Sequence, residues 1–231
     1  MFLLWKNFLF PRPCAICGGS LLNASEVHFG LCEQCLKPLL TEEKDRCIKC
    51  GKPLVSEIEI CILCRNTREH SYEKIWVFFP YSGKYRKLLT EFKFHRNLAL
   101  ANLFTEKISA VLNEPELINA SLVPVPVRPG KIREKGWDQV DYLVKKLKKN
   151  SKSDLFVSNC LKRKKSKIQK MLNRTDRIEN LKGRIYSSKK SPKTALIIDD
   201  VITTGSTLEI CSSVLKENGA EKVYCLCLFY D

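Results

Sequence analysis

The chain has no apolar run approaching the ~18 residues that a bilayer-spanning helix needs. Its first ten residues, MFLLWKNFLF, are interrupted by Lys6, carry no small-residue cleavage site and run into Pro11 and Pro13. They read as a packing segment rather than a span or a secretory leader, so a soluble, cytoplasmic protein with reduced thiols is expected. Neither of the common nucleotide fingerprints occurs: there is no G-x-x-x-x-G-K-[ST] and no G-x-G-x-x-G. That excludes the P-loop cradle and the dinucleotide turn. Acidic residues are scarce, 25 against 40 Lys and Arg, leaving a net charge of +15. The deficit is local, because residues 128–193 alone carry 22 basic and 6 acidic side chains. A solvated lysine-rich surface explains most charge runs; one placed next to an anion site favours a polyanionic ligand.

The 231 residues, 44% hydrophobic and 28% charged, suffice for one ordinary domain and a small one. The boundary is expected near residue 70, with a cysteine-rich module over 1–70 and an α/β domain over 71–231. Eight of the 12 cysteines form four C-x-x-C pairs: Cys14/Cys17, Cys32/Cys35, Cys47/Cys50 and Cys61/Cys64. Gly18 and Gly51 follow the first and third pairs, giving C-x-x-C-G knuckles whose N–H groups can point at thiolates. The arrangement repeats, offset by 33 residues at its first pair and 29 at its second. Such a double ribbon implies two structural four-thiolate zinc sites, closed and therefore not catalytic. So small a segment lacks the core to fold unaided, and metal binding supplies the missing free energy. Disulfides need an oxidising compartment, iron–sulfur runs are more closely and irregularly spaced, and redox C-x-x-C motifs come singly. Cys160, Cys211, Cys225 and Cys227 fall on apolar stripes and read as core.

Residues 195–207 read ALIIDDVITTGST. Ala195 to Ile198 form a short unbroken apolar run, as in a strand buried on both faces. Asp199 and Asp200 come where that strand should emerge. Thr203, Thr204, Gly205, Ser206 and Thr207 make a small-residue turn into a helix with Leu208, Cys211 and Leu215 on one stripe, stopped at Gly219. Backbone donors and a helix N-terminus converge on an anion there, while the two acids suit hydroxyls or a metal. A ligand meeting both is a phosphorylated sugar. Upstream, Ile75–Phe79 reads as a strand, Lys84–Phe94 and Leu98–Leu112 as helices, and Leu122–Val127 as an edge or bulged strand because of Pro124 and Pro126. Val140–Leu147 reads as a helix and Leu155–Val157 as a short strand. Strands alternating with helices predict a parallel sheet flanked by helices, with its ligand site at the carboxyl ends of the strands.

The 13-residue run resembles the phosphoribosyl-diphosphate (PRPP) motif of the type I phosphoribosyltransferases: four apolar residues, two acids, then a Thr/Gly-rich loop. The resemblance implies that Asp199 and Asp200 hold the ribose hydroxyls and that Thr203 to Thr207 wrap the 5′-phosphate, with Mg²⁺ accompanying PRPP. Two further stretches, VPVPVRPGKIREKGWDQV from Val123 and KRKKSKIQKMLNRTDRIENLKG from Lys162, widen it. Together with the cysteine module they resemble the ComF family, the late competence proteins and their relatives. Arg133, Gly136, Gln139, Gln169, Leu172, Arg177, Asn180 and Gly183 stand where that pattern wants them, and Tyr81, Gly83 and Lys93 fit as well. Three positions depart from it: Lys135 replaces Arg, Trp137 replaces Phe and Asp138 replaces Asn. Lys keeps the charge but loses the planar fork. Asp138 weakens binding if it faces a diphosphate and is harmless if it faces an arginine or a metal-bound water.

Two functions fit the resemblance. One is PRPP binding joined to handling of single-stranded DNA during uptake, with other uptake proteins such as a translocase helicase as partners. Lys164, Lys165 and Lys167 would then follow phosphates and Trp137 would stack on a base. The other is an active phosphoribosyltransferase. Arg133, Lys135 and a mobile stretch from 162 to 177 would neutralise the departing diphosphate beside Asp199 and Asp200. Nothing resembles a clamp for a known purine or pyrimidine, so the acceptor, a nucleobase or an amine, stays open.

Overall fold

The computed structural model describes residues 12–41, 45–66, 70–150, 155–164 and 183–231. Its central element is a four-stranded sheet in the order β1-β6-β5-β2. The strands are β1 (Ile75–Pro80), β2 (Ser121–Pro124), β5 (Thr194–Ile202) and β6 (Lys222–Tyr230). β5 pairs in parallel with β2, from Ser121↔Ala195 to Pro124↔Ile198. On its other side it pairs in parallel with β6, from Thr194↔Lys222 to Ile202↔Tyr230. Residues Ala195, Leu196, Ile197 and Ile198 are all fully buried, as expected for a strand covered on both faces. The Leu and Ile side chains among them each contribute roughly 1.5–3 kcal/mol by leaving water.

Helices supply the cover. The helix after β5, Ser206–Glu217, buries Leu208, Cys211 and Leu215 in one cluster with Ala195, Ile197, Cys225 and Cys227. The helix Gln139–Asn150, which buries Leu143, Val144 and Leu147, lies against β2 and β5. Among the described residues the helices in chain order are α1 (Ala24–Phe29), α2 (Glu33–Thr41), α3 (Ile62–Asn66), α4 (Gly83–Lys93), α5 (Leu100–Leu112), α6 (Lys131–Lys135), α7 (Gln139–Asn150) and α8 (Ser206–Glu217). The parallel sheet flanked by helices thus stands as expected. Cys160, Cys211, Cys225 and Cys227 are buried thiols of this core.

Three local expectations change. β2 stops at Pro124 rather than reaching Val127, because Pro124 and Pro126 cannot donate to a ladder; only the Val125 N–H continues it, to the Ile198 carbonyl at 3.0 Å. The short strand at 155–157 reduces to one bridge, Leu122↔Val157. β5 does not end at the acids but runs through them to Ile202, since β6 extends as far and pairs with Val201 and Ile202. A two-stranded antiparallel sheet of β3 (Leu161–Arg163) and β4 (Ile185–Ser187) was not legible, each strand being only three residues long.

By packing, the chain forms two compact units, residues 1–43 with 79–110 and residues 44–78 with 111–231. The division into modules at residue 70 is one of sequence; these units cut across it and give each unit one pair of C-x-x-C motifs. In the first unit, Lys87 Nζ donates to the Ile16 carbonyl at 2.7 Å and Asn102 Nδ2 to the His28 carbonyl at 2.5 Å, while Phe92 and Phe104 meet edge to face. In the second unit the turn after Cys50 is pressed onto β1. Gly51 has φ +76°, and a Cβ there would lie 2.3 Å from Val77 Cγ2. Gly51→Ala is therefore expected to destabilise this unit by about 3 kcal/mol, read as a lowered denaturant midpoint; a change within error would show that the knuckle is not seated on β1.

Candidate functional site

The eight paired cysteines assemble as two tetrads, Cys14/Cys17/Cys32/Cys35 and Cys47/Cys50/Cys61/Cys64, with the sulfur atoms of each within 4.8 Å of one another. Cys17 and Cys32 Sγ are 3.6 Å apart, and Cys50 and Cys61 Sγ are 3.8 Å apart. A tetrahedral zinc with bonds of about 2.3 Å demands sulfur separations of roughly this size, so both donor sets fit the ion. The local fold differs slightly from a plain β-ribbon. Each knuckle is closed by a single antiparallel bridge, Pro13↔Ser20 and Arg46↔Pro53, and the second pair of each tetrad lies at a helix start. Gly18 and Gly51 turn their N–H groups to the Cys14 and Cys47 carbonyls, not to sulfur. The thiolates are served instead by the Gly19 N–H on Cys17 and the Cys61 N–H on Cys47, both at 3.4 Å. Burial works to raise the Cys14 and Cys47 thiols, but surrounding N–H donors outweigh it and bring each down to about 7.

At the far end of β5 the two acids part company. β2 has already stopped at Ile198, so the chain beyond is open on that side while β6 supports the other. Asp200 is buried, accepts from the Val201 N–H at 2.9 Å and takes a short hydrogen bond from Gln139 Nε2. Asp199 is half-buried and accepts from the Asp200 N–H at 2.8 Å. Three residues past the end of β5, Gly205 takes the left-handed conformation (φ +74°) and α8 begins at Ser206. Thr204 Oγ1 and Ser206 Oγ are 2.9 Å apart and brace the turn. Thr203 is exposed and Thr204, Gly205 and Thr207 are half-buried. The first N–H groups of a helix have no carbonyl of that helix to serve, and its dipole favours negative charge there.

The segment after β2 resolves the question of Asp138. Its Oδ1 accepts from the N–H groups of Val140 and Asp141, both at 3.0 Å, and its Oδ2 from Lys131 Nζ at 2.6 Å. It caps α7 and pairs with a lysine; the departure from Asn is absorbed locally. The next residue, Gln139, reaches Asp200. It belongs to the family pattern quoted above but was not among the expected site residues, since only the fold shows that α7 starts beside the acids. Arg133 and Lys135 lie exposed on the short α6, which Gly136 ends in a left-handed turn with its N–H on the Ile132 carbonyl at 2.7 Å. Trp137 is half-buried, edge-on to Tyr142.

The basic segment is described only in part: Lys165, Lys167, Gln169, Leu172, Arg177 and Asn180, with most of the 162–177 stretch, lie outside the described residues, as does the MFLLWKNFLF segment. Lys164 is exposed and sits 5.6 Å over the Tyr186 ring, itself exposed. Arg163 between Lys162 and Lys164 turns inward, and its Nε is buried without a hydrogen-bond partner. Burial lowers its pKa, the neighbouring Arg184 and Arg128 add to that, and Cys211 and Asp199 oppose it. Neither Arg163 nor Tyr186 was singled out from sequence; in so dense a charge run nothing marks one cation as inward.

Zinc-ribbon tetrads and a parallel sheet with an acid pair, a left-handed glycine and a helix N-terminus define a two-part protein. The double zinc ribbon domain family matches residues 5–67, and the phosphoribosyl transferase domain family matches residues 140–231. Competence protein F of Haemophilus influenzae is 29% identical over 227 residues, 94% of this chain and 96% of that protein. Competence protein ComFC of Streptococcus pneumoniae is 25% identical over 91% of this chain and 96% of its own length. The DNA utilization protein YhgH of Escherichia coli is 25% identical over 94% and 97%. Over nearly its whole length the chain is thus similar to these competence and DNA utilization proteins, and it carries matches to both domain families. No helix among the described residues is long and apolar enough to cross a membrane.

Purified protein is expected to carry two zinc ions per chain, lost with chelator together with structure in residues 14–64. Metal analysis checks this; one zinc, or the visible absorption of iron–thiolate centres, would overturn the two-site assignment.

Proposed function

We propose that residues 199–207 bind PRPP together with Mg²⁺ and that the protein handles single-stranded DNA during DNA uptake. The sequence modules 1–70 and 71–231 would serve as zinc scaffold and ligand-binding domain. The observation that carries the PRPP reading is the order of groups at the end of β5: an acid pair, a left-handed Gly205 and the N-terminus of α8 within eight residues. Donors at Thr203 to Thr207 suit the 5′-phosphate, and Asp199 with Asp200 suit the ribose hydroxyls. Gln139 holds Asp200 in one orientation, which leaves the half-buried Asp199 as the more accessible acceptor. Mg²⁺ is a hard cation that takes carboxylate, hydroxyl and phosphate oxygens. The DNA reading is supported by the names of the relatives, competence proteins and DNA utilization proteins, and by the exposed pairing of Lys164 with Tyr186. Trp137 and Tyr186 offer ring faces for stacking, and Lys164, Lys165 and Lys167 offer charge.

The second reading, transfer of ribose 5-phosphate to a nucleobase or amine, is favoured by the exposure of Arg133 and Lys135 on α6, next to the helix that carries Gln139. In that reaction the acceptor's lone pair forms the bond to the anomeric carbon as the bond to diphosphate breaks, and these cations neutralise the leaving group. Calorimetry with PRPP and Mg²⁺ should show binding that Asp199→Asn/Asp200→Asn lowers by at least about 100-fold; unchanged affinity would assign the acids to the turn alone. Release of diphosphate over a panel of bases and amines selects the transferase reading.

For DNA, affinity for a single strand should fall steeply with salt. Lys164→Ala/Lys165→Ala/Lys167→Ala should reduce the log–log slope by about two, at about 0.7 per phosphate contact. An equal slope in the triple variant would sink these lysines as a nucleic-acid track.

A further inference from the structure

The two cysteine tetrads are built into different surroundings. The first belongs to the unit that contains α4. The second belongs to the unit that contains the sheet, and it is bonded into it. Within its knuckle, between Cys47 and Cys50, the Ile48 carbonyl accepts from the Ile75 N–H at the start of β1 at 2.8 Å. The Lys49 carbonyl accepts from Tyr72 Oη at 2.5 Å, and Lys49 Nζ returns to the Glu73 carbonyl at 2.8 Å. Arg46 joins the Gly51 carbonyl at 3.0 Å to the Phe78 carbonyl at 3.4 Å. Tyr72 is only 1% exposed, so its hydroxyl has no water to fall back on if the knuckle loosens.

The residues just before Tyr72 reach the other way. The Ser71 N–H donates to both Glu209 carboxylate oxygens, at 3.0 and 3.3 Å, and Ser71 Oγ donates to Glu209 Oε1 at 2.5 Å. His70 Nδ1 lies 3.5 Å from Glu209 Oε2, and Ser71 Oγ is 2.9 Å from Ser213 Oγ. Glu209 stands in the first turn of α8 and its own N–H is bonded to the Gly205 carbonyl at 3.0 Å. A continuous line of bonded groups therefore runs from the knuckle through Tyr72, Ser71 and Glu209 to the turn 203–207.

We propose that this line is a latch through which metal in the second tetrad, and not in the first, fixes the phosphate-binding turn. Ser71 and Tyr72 are then positioning residues, acting on the turn through Glu209, and the second zinc is a structural part of the ligand site. Without metal the knuckle is not held, the Lys49 carbonyl no longer anchors Tyr72, and the clamp on Glu209 loses its fixed base. The proposal rests on the reading of 199–207 as a sugar-phosphate site for its consequence in affinity, but the latch itself can be read without ligand.

The test uses the full chain in five variants, with zinc content, hydrogen exchange of amides 203–209 and PRPP–Mg²⁺ calorimetry as readouts. Tyr72→Phe and Ser71→Ala keep both tetrads and lie off α8. Each should retain two zinc ions yet quicken exchange in 203–209 by about fivefold, the worth of one lost hydrogen bond, with PRPP affinity weakened by a similar factor. Cys61→Ala/Cys64→Ala should lose one zinc and much of that protection, and Cys64→His, which restores four ligands, should recover both. Cys32→Ala/Cys35→Ala should lose one zinc and leave 203–209 as protected as before. Equal protection of 203–209 in Tyr72→Phe, Ser71→Ala and the parent chain would overturn the latch, as would an equal loss in the first-tetrad variant. If the parent chain binds no PRPP, the sugar-phosphate reading falls while the exchange contrast still decides the latch.

Discussion

A strand that must be buried on both faces for four residues and then carry two carboxylates can occupy only one kind of place. Ala195 to Ile198 force β5 into the interior of the sheet, between β2 and β6. Asp199 and Asp200 cannot share that environment unless they are hydrogen-bonded or reach solvent. The conflict is resolved by unequal neighbours. β6 continues beside the acids to Tyr230, and β2 stops at Ile198. The sheet thus ends in a step, apolar and paired on one side and open on the other. Every other feature of the site follows from that step: the loop that leaves it, the helix that returns over the core, and the approach of α7 with Gln139 from the side where β2 has ended. Parallel sheets place ligands at such carboxyl ends for this reason.

Asp138 and Gln139 show how one short sequence can serve two scales of structure. Asn and Asp are nearly equivalent as helix N-caps because either side-chain oxygen can accept from the second and third N–H groups. A carboxylate adds favourable interaction with the helix dipole and, here, with Lys131. Exchange of Asn for Asp at 138 therefore leaves the start of α7 where it was. Gln139 depends on that start, since a shift of one residue would rotate its amide by about 100° around the helix, away from Asp200. The cap fixes the register, and the register delivers the amide to the acid.

Much of this was legible in the sequence, and the reason is that its strongest signals are local. C-x-x-C spacing marks a metal knuckle without reference to the rest of the chain, and the run from Ala195 to Thr207 contains strand, acids, turn and helix start in order. The helices at Lys84 and Leu98 were legible from their apolar stripes. What escaped depends on contacts between distant segments. β3 and β4 are three residues each and gain their pairing only from one another. Gln139 meets Asp200 across 61 residues, and Glu209 meets Ser71 across 138. The end of β5 was expected at the acids, short of Ile202, because they were weighed as solvent-seeking groups, whereas the length of β6 decides how far the ladder runs.

The basic segment is the place where composition alone misleads most. Counted as charge, residues 128–193 are one undifferentiated cationic stretch, and a solvated surface would account for it. At β3 and the residue after it two kinds of cation stand side by side: Lys162 and Lys164 are exposed, and the half-buried Arg163 faces in, close enough to Asp199, Arg128 and Arg184 to feel them. These populations answer to different physics. The outer lysines act through a screened field and release counterions when a polyanion lies along them, so their contribution falls with salt. An inward guanidinium that is partly desolvated and pressed by like charges is screened far less, and an anion at the end of β5 would relieve that repulsion. If both proposed ligands bind, a polyanionic strand along the surface and a compact diphosphate at the site would therefore not need to compete for the same cations.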